Sequence, residues 1–105
     1  LITDKEMAHK PVLLVTVSAG MGGAYPISEL RASGYKNTYI SYLPEHIIVR
    51  HAEKMLNDGP PADENETRMR ERIDHMLKLL KVYGKAYKGI RENTEVDVLQ
   101  YPSGM

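Results

Sequence analysis

The feature that most limits what this chain can fold into is an apolar, largely β-branched run, Val12-Leu13-Leu14-Val15-Thr16-Val17, that stops abruptly at Ser18-Ala19-Gly20-Met21-Gly22-Gly23. A half-exposed antiparallel strand would alternate apolar and polar side chains. An unbroken run instead predicts a strand covered on both faces, the habit of parallel sheets packed between helices. Three glycines in four positions then allow a sharp turn or the close approach of a ligand.

The rest of the chain fits one α/β reading. Residues 24–33 predict a short helix with Ile27 and Leu30 turned inward, and Gly34 is placed to end it. Strand, glycine loop and helix make the first half of a βαβ unit. The return strand is therefore expected within residues 38–43, where Tyr39, Ile40, Tyr42 and Leu43 precede Pro44. Ile47-Ile48-Val49 continues that strand beyond the proline or docks beside it. Residues 57–66, with Gly59, Pro60 and Pro61 among acidic neighbours, predict a solvated loop. From Glu64 to Arg91 the residues Met69, Ile73, Met76, Leu77, Leu80, Tyr83, Tyr87 and Ile90 recur at helical spacing and predict a long amphipathic helix. Asp63, Asn65 and Thr67 are competent N-caps, and Lys81, Lys85, Lys88 and Arg91 suit the C-terminal dipole. Residues 94–105 read as a tail with an apolar patch at Val96, Val98 and Leu99.

Composition narrows the class. With 105 residues, 42% hydrophobic and 27% charged, the chain has the make-up of one soluble globular domain. Fourteen basic residues offset fourteen acidic ones, so no overall field draws it to nucleic acid or to an anionic membrane, and neither partner is expected. The sequence holds no run of about 18 apolar residues and no signal-peptide pattern. The absence of cysteine removes disulfides, thiolate metal sites and a cysteine nucleophile together, and fits a reducing cytoplasm, the expected location. Two strands with these helices would leave sheet edges and part of a face bare. Since the first residue is Leu1 rather than methionine, the missing strands are expected from an N-terminal portion, a separate chain or a symmetric copy. The chain alone is expected to be oligomeric or partly unfolded.

The glycine loop is the main site candidate, because a loop leaving the carboxyl end of a parallel strand offers amides and little steric bulk to a flat or anionic ligand. The plainer reading is a tight strand-to-helix turn. A dinucleotide fingerprint fails, since Tyr25 stands where the third glycine belongs, and no phosphate-loop lysine follows. His46 and His51, with Glu45 and Glu53 nearby, suggest metal ligands or acid-base groups, but their five-residue interval does not share a helical face and no third ligand is evident. They read as surface or interface histidines; no metal site and no catalytic acid or base is expected. His75 falls between apolar helix positions and reads as solvated, while His9 has no context. Tyr83 and Tyr87, with Met69 and Met76, form a stripe that helical spacing explains as core or subunit interface. Arg68, Arg70, Glu71, Arg72 and Asp74 alternate in sign and read as a solvated helix face.

The segment Lys10-Pro11-Val12-Leu13-Leu14-Val15-Thr16-Val17-Ser18-Ala19-Gly20-Met21-Gly22-Gly23-Ala24 resembles the fourth strand and following loop of the NADPH-dependent FMN reductase family. Leu30-Arg31-Ala32-Ser33-Gly34 resembles the end of the helix after that loop. Leu43-Pro44-Glu45-His46-Ile47-Ile48-Val49 resembles the family's last strand, and the helix from Glu64 its closing helix. The likeness covers most of residues 10–92 and implies a flavodoxin-like fold, of which residues 1–105 would be the C-terminal portion: strand, loop, helix, strand, long helix. It also implies dimers or tetramers, FMN and NADPH as cofactors, and hydride transfer through the flavin to a quinone, free flavin, azo compound or metal ion. Carried over by position, Ser18, Ala19, Gly20, Met21, Gly22 and Gly23 would lie beside the isoalloxazine ring. The family's phosphate loop and the Pro-Glu-Tyr-Asn-type segment have no counterpart, so weak FMN binding by this chain alone is implied. A non-catalytic flavodoxin-like fragment acting as an assembly module is the alternative.

Overall fold

A computed structural model describes residues 4–35, 37–101 and 103–104. Its elements run α1 (Asp4–Met7), β1 (Pro11–Val12), β2 (Val15–Val17), α2 (Ala24–Glu29), β3 (Ser41–Tyr42), β4 (Ile47–Val49) and α3 (Glu64–Arg91). A π-helical turn at Leu30–Gly34 extends α2, and a 3-10 turn at Ala52–Lys54 follows β4. The chain is thus mixed α/β, with short parallel strand pairs and a long helix near its end.

The apolar run does form parallel strands, but in two steps. Pro11 and Val12 face Ser41 and Tyr42, whereas Val15, Thr16 and Val17 face Ile47, Ile48 and Val49. Between the pairs, residues 13–14 on one side oppose residues 43–46 on the other, so Pro44 sits in a bulge that absorbs two extra residues. The ladder carries on through it: Leu43 N donates to Val12 O at 2.9 Å and Ile47 N to Leu14 O at 2.9 Å. The residues beyond the proline therefore continue the return strand. Arg31 holds the bulge in shape, its Nη2 reaching Leu43 O at 2.9 Å and Glu45 O at 3.3 Å.

The long helix covers one face of this ladder. At about 1.5 Å per residue its 28 residues span roughly 42 Å, most of the molecule's 50 Å length. Leu43, Ile47, Val49 and the fully buried Met76 form the core, and Met69, Ile73, Leu79, Leu80 and Tyr83 pack around it. Three expectations need correction. The strand is not covered on both faces, since Val15 and Val17 remain 54% and 66% exposed where α3 lies over β4 and leaves β2 bare. Leu30 is exposed rather than inward, because it begins the π turn, whose wider winding departs from the helical spacing. Leu77 and Ile90 fall on the outer side of α3 and are exposed as well.

The start of α3 is anchored by a buried carboxylate that helical periodicity alone passes over. Asp63 is the N-cap, accepting from Glu66 N at 2.8 Å. Glu66, itself buried, accepts from Ala62 N at 2.7 Å, Leu56 N at 2.9 Å and Arg70 Nη2 at 2.8 Å. Arg70 also donates to the carbonyls of Asn57 and Gly59, so these two side chains clamp the solvated loop to the helix. Arg70 is therefore no mere solvated charge, and neither is Arg72, which pairs with Glu45 of the bulge. The Ala62 amide first, then Arg70, holds the Glu66 carboxyl below its ordinary pKa. A carboxyl depressed in the folded state stabilises it above the unfolded pKa and ceases to do so as pH falls through the folded one. Glu66→Gln should therefore melt several degrees lower at neutral pH yet lose less on acidification than the parent chain, as thermal circular dichroism across the carboxylate range would show. Equal acid sensitivity of the two proteins would contradict the clamp.

The tail has no regular element among the described residues, but it is not loose. His9 stacks on Tyr39 with ring centroids 5.1 Å apart, and its Nε2 lies 2.9 Å from Val98 O, while Tyr39 Oη donates to Ser103 O at 3.3 Å. His9, which has no evident role in the sequence, is thus a packing residue for the chain's last segment. No helix among the described residues is long and apolar enough to cross a membrane.

Candidate functional site

The glycine loop leaves the carboxyl end of β2 and enters α2, the position at which open α/β sheets bind ligands. Apart from Ser18 N, which donates to Val49 O at 2.9 Å, the loop's backbone takes part in hydrogen bonds through its carbonyls. Ser18 O accepts from Ala52 N at 3.0 Å, and Gly20 O accepts from His51 N at 3.2 Å and Ser18 Oγ at 2.9 Å. Met21 O accepts from Arg50 Nε at 3.3 Å, Gly22 O from Tyr25 N at 3.1 Å, and Gly23 O from Thr16 Oγ1 at 2.6 Å. The peptide N–H groups of Ala19 to Gly23 make none of these bonds, so they are left for solvent or a ligand.

The glycines divide by role. Gly20 is exposed and has nothing within 4 Å of where a Cβ would stand; at Gly22 the nearest atom is Tyr25 Cδ2 at 3.8 Å. Gly23 is buried, and a Cβ there would lie 2.6 Å from Ile48 Cγ2 and 3.2 Å from Ser18 Oγ. Internal packing therefore accounts for Gly23, whereas the room at Gly20 and Gly22 is open to the outside. Ser18 is half-buried and turned into the loop, Ala19 is exposed, and Met21 projects with 65% of its surface free.

The segment after β4 completes the site, and its contribution is invisible in the linear sequence. Arg50 and His51 leave β4 directly beneath the glycine loop, and His51 takes a left-handed conformation, φ 50° and ψ 49°, that is uncommon for a residue with a side chain. That conformation lets the consecutive amides of His51 and Ala52 reach Gly20 O and Ser18 O. Beside them opens a cleft of about 370 Å³ with walls of Met21, Ile48, Met55 and Met69. Arg50, His51 and Asn65 supply its polar groups. His46 lines an adjoining hollow of about 250 Å³ that shares Ile48, Arg50 and Met69 with this cleft; Arg31 Nη2 stands 3.2 Å from His46 Nδ1, and burial first, then the Arg31 charge, lowers the His46 pKa. The His46–His51 pair is thus split between that hollow and the cleft. Glu53 and His75 are exposed, and among the described residues no group of three or more His, Asp or Glu side chains could hold a metal.

Comparison with protein-family models, with curated proteins and with solved structures returns no match to this chain. The site must accordingly be read from its own chemistry.

Proposed function

We propose that this chain is the C-terminal part of a flavodoxin-like, NAD(P)H-dependent flavin oxidoreductase, with Ser18 to Gly22 as the ring-side loop. The observation that carries this reading is the loop's polarity: the carbonyls of Ser18, Gly20, Met21 and Gly22 accept hydrogen bonds from the protein while the ground above Gly20 and Gly22 stays clear. A planar ring bearing carbonyl oxygens and ring nitrogens needs a flat approach and N–H donors at its polar edge, and this loop supplies both. Bound FMN would supply the capacity to take hydride from NADPH and pass it to an acceptor. The chain's own residues position that group: Gly20 and Gly22 admit the ring, Ala19, Met21 and Gly22 present amides, and Arg50 braces the loop through Met21 O. Gly23 sets the distance between loop and strand and lies outside the contact surface.

The bare Val15 and Val17 favour a second reading, a non-catalytic module that assembles with further strands. One experiment separates the two. The polypeptide isolated from its natural source is expected to carry an oxidised-flavin absorption band that NADPH bleaches, and Gly20→Val to lose that band while keeping its far-ultraviolet circular dichroism. A colourless native protein that leaves the fluorescence of added FMN unquenched would overturn the flavin reading and leave the assembly role.

A further inference from the structure

The cleft beside the glycine loop carries a charge pattern that a flavin ring does not use. Among the described residues Arg50 spends only Nε, on Met21 O, and neither terminal nitrogen of its guanidinium has a partner there. His51 lies next in sequence and Lys54 one helical turn on; with Arg50 they line a further hollow of about 240 Å³ that shares Met55 and Asn65 with the main cleft. Neither Arg50 nor Lys54 has an ion-pair partner among the described residues, whereas nearby Arg72 is neutralised by Glu45. The acidic group lining this hollow is Asp63, and its Oδ1 is occupied by the Glu66 amide at 2.8 Å. Basic side chains and a floor of methionines together define the chemistry of the ligand: an anionic group joined to an apolar or aromatic body.

We infer that Arg50, His51 and Lys54 form a binding site for the phosphate group of a small molecule whose body lies along Met55 and Met69. The site exists independently of the flavin reading and rests on it only in naming a dinucleotide as the source of that phosphate. The combined cleft falls within the roughly 300–1,000 Å³ of small-molecule sites, and a guanidinium is a donor group that holds phosphate in a fixed orientation. Arg50 is suited to this task more than a lysine would be, because bracing the loop and binding the anion use different nitrogens of one planar group.

The test is a two-dimensional amide NMR titration of the full chain with sodium pyrophosphate, repeated with NADP+ and with sodium chloride at matched ionic strength. Pyrophosphate should give saturable shifts at Arg50, His51 and Lys54 that chloride does not, and NADP+ should move the same amides and the methyl groups of Met55 and Met69 in addition. Arg50→Ala should weaken pyrophosphate binding about tenfold or more, the loss expected for a charged hydrogen-bond donor. The exposed Lys54→Ala should weaken it less, and Arg68→Ala, on the outer side of α3, should leave it unchanged. Lys54→Ala keeps the result interpretable if Arg50→Ala disturbs the loop. Equal shifts with chloride, or wild-type affinity in both Arg50→Ala and Lys54→Ala, would overturn the site. Pyrophosphate binding without movement at Met55 and Met69 under NADP+ would overturn the dinucleotide as the source. Saturable pyrophosphate binding by a protein that takes up no flavin would sustain this site and sink the flavin reading alone.

Discussion

Replacing Gly23 with alanine is expected to destabilise the chain by about 1–3 kcal/mol, while the same change at Gly20, three residues earlier, is expected to cost almost nothing. The difference is one of surroundings. A methyl group at Gly23 would stand 2.6 Å from Ile48 Cγ2, a backbone-anchored side chain on the neighbouring strand, and would crowd Thr16 Oγ1 and Ser18 Oγ at 3.4 and 3.2 Å. Ile48 can retreat only by shifting β4, and Thr16 would lose its 2.6 Å bond to the Gly23 carbonyl. At Gly20 nothing lies within 4 Å and φ is outside the left-handed region, so alanine fits and restricts the unfolded chain slightly. For a domain of this size Gly23→Ala should lower the melting temperature by about 10 °C, and Gly20→Ala should leave it within a few degrees of the parent. Ligand binding should follow the opposite order per unit of stability lost, because Gly20 faces outward and Gly23 does not. Indistinguishable melting of all three proteins would refute the division of roles.

Met76→Ala is expected to be more damaging still. Met76 has no exposed surface and joins α3 to Leu43, Ile47 and Val49, so its truncation opens a cavity where helix and sheet meet. Buried methionine-to-alanine changes cost about 2–5 kcal/mol, a large share of the roughly 5–15 kcal/mol that a small domain possesses. The effect is magnified here by the narrowness of the core: among the described residues its cluster has four buried members, of which only Leu43 and Met76 are fully buried. Denaturant unfolding should show a lower midpoint with the slope retained, and Met76→Leu should recover most of the loss because it restores volume. A Met76→Ala protein as stable as the parent would mean that α3 does not hold the sheet as described.

How far the sequence foretells this architecture differs from one element to the next. A parallel return strand is legible from the apolar runs on either side of the glycine loop and short helix, but its place is not: it is expected within residues 38–43, whereas only Ser41 and Tyr42 of these pair, with β1, and the partner of β2 is Ile47–Val49 beyond the proline. The structure selects Asp63 from three candidate caps, while the span of α3 is legible because a long three-four apolar period has one reading. Coverage of the strand is not, because a run such as residues 12–17 reports that each side chain is apolar and not whether the molecule has enough helix to bury it. Glu66 did leave a signal: an acid three residues after an Asp N-cap has the spacing of a capping box, although here it reaches back to Ala62 and Leu56 rather than to the cap itself. Of the site, the loop can be found from its glycines. Arg50 and His51 cannot, since only the parallel pairing brings residues 50–52 under residues 18–21, about thirty positions away in sequence.

The two-residue bulge at Pro44 gives the sheet a direction of growth. Its β3–β4 margin is bent by the proline and flanked by Glu45, His46 and Arg31, so an incoming strand would meet a broken line of peptide groups and a charge. Its β1–β2 margin is free of charge through residues 11–28 and ends in two bare valines. A strand added to this sheet would meet least obstruction on that second margin, where it would lie alongside Val15 and Val17 and widen the platform on which the glycine loop stands.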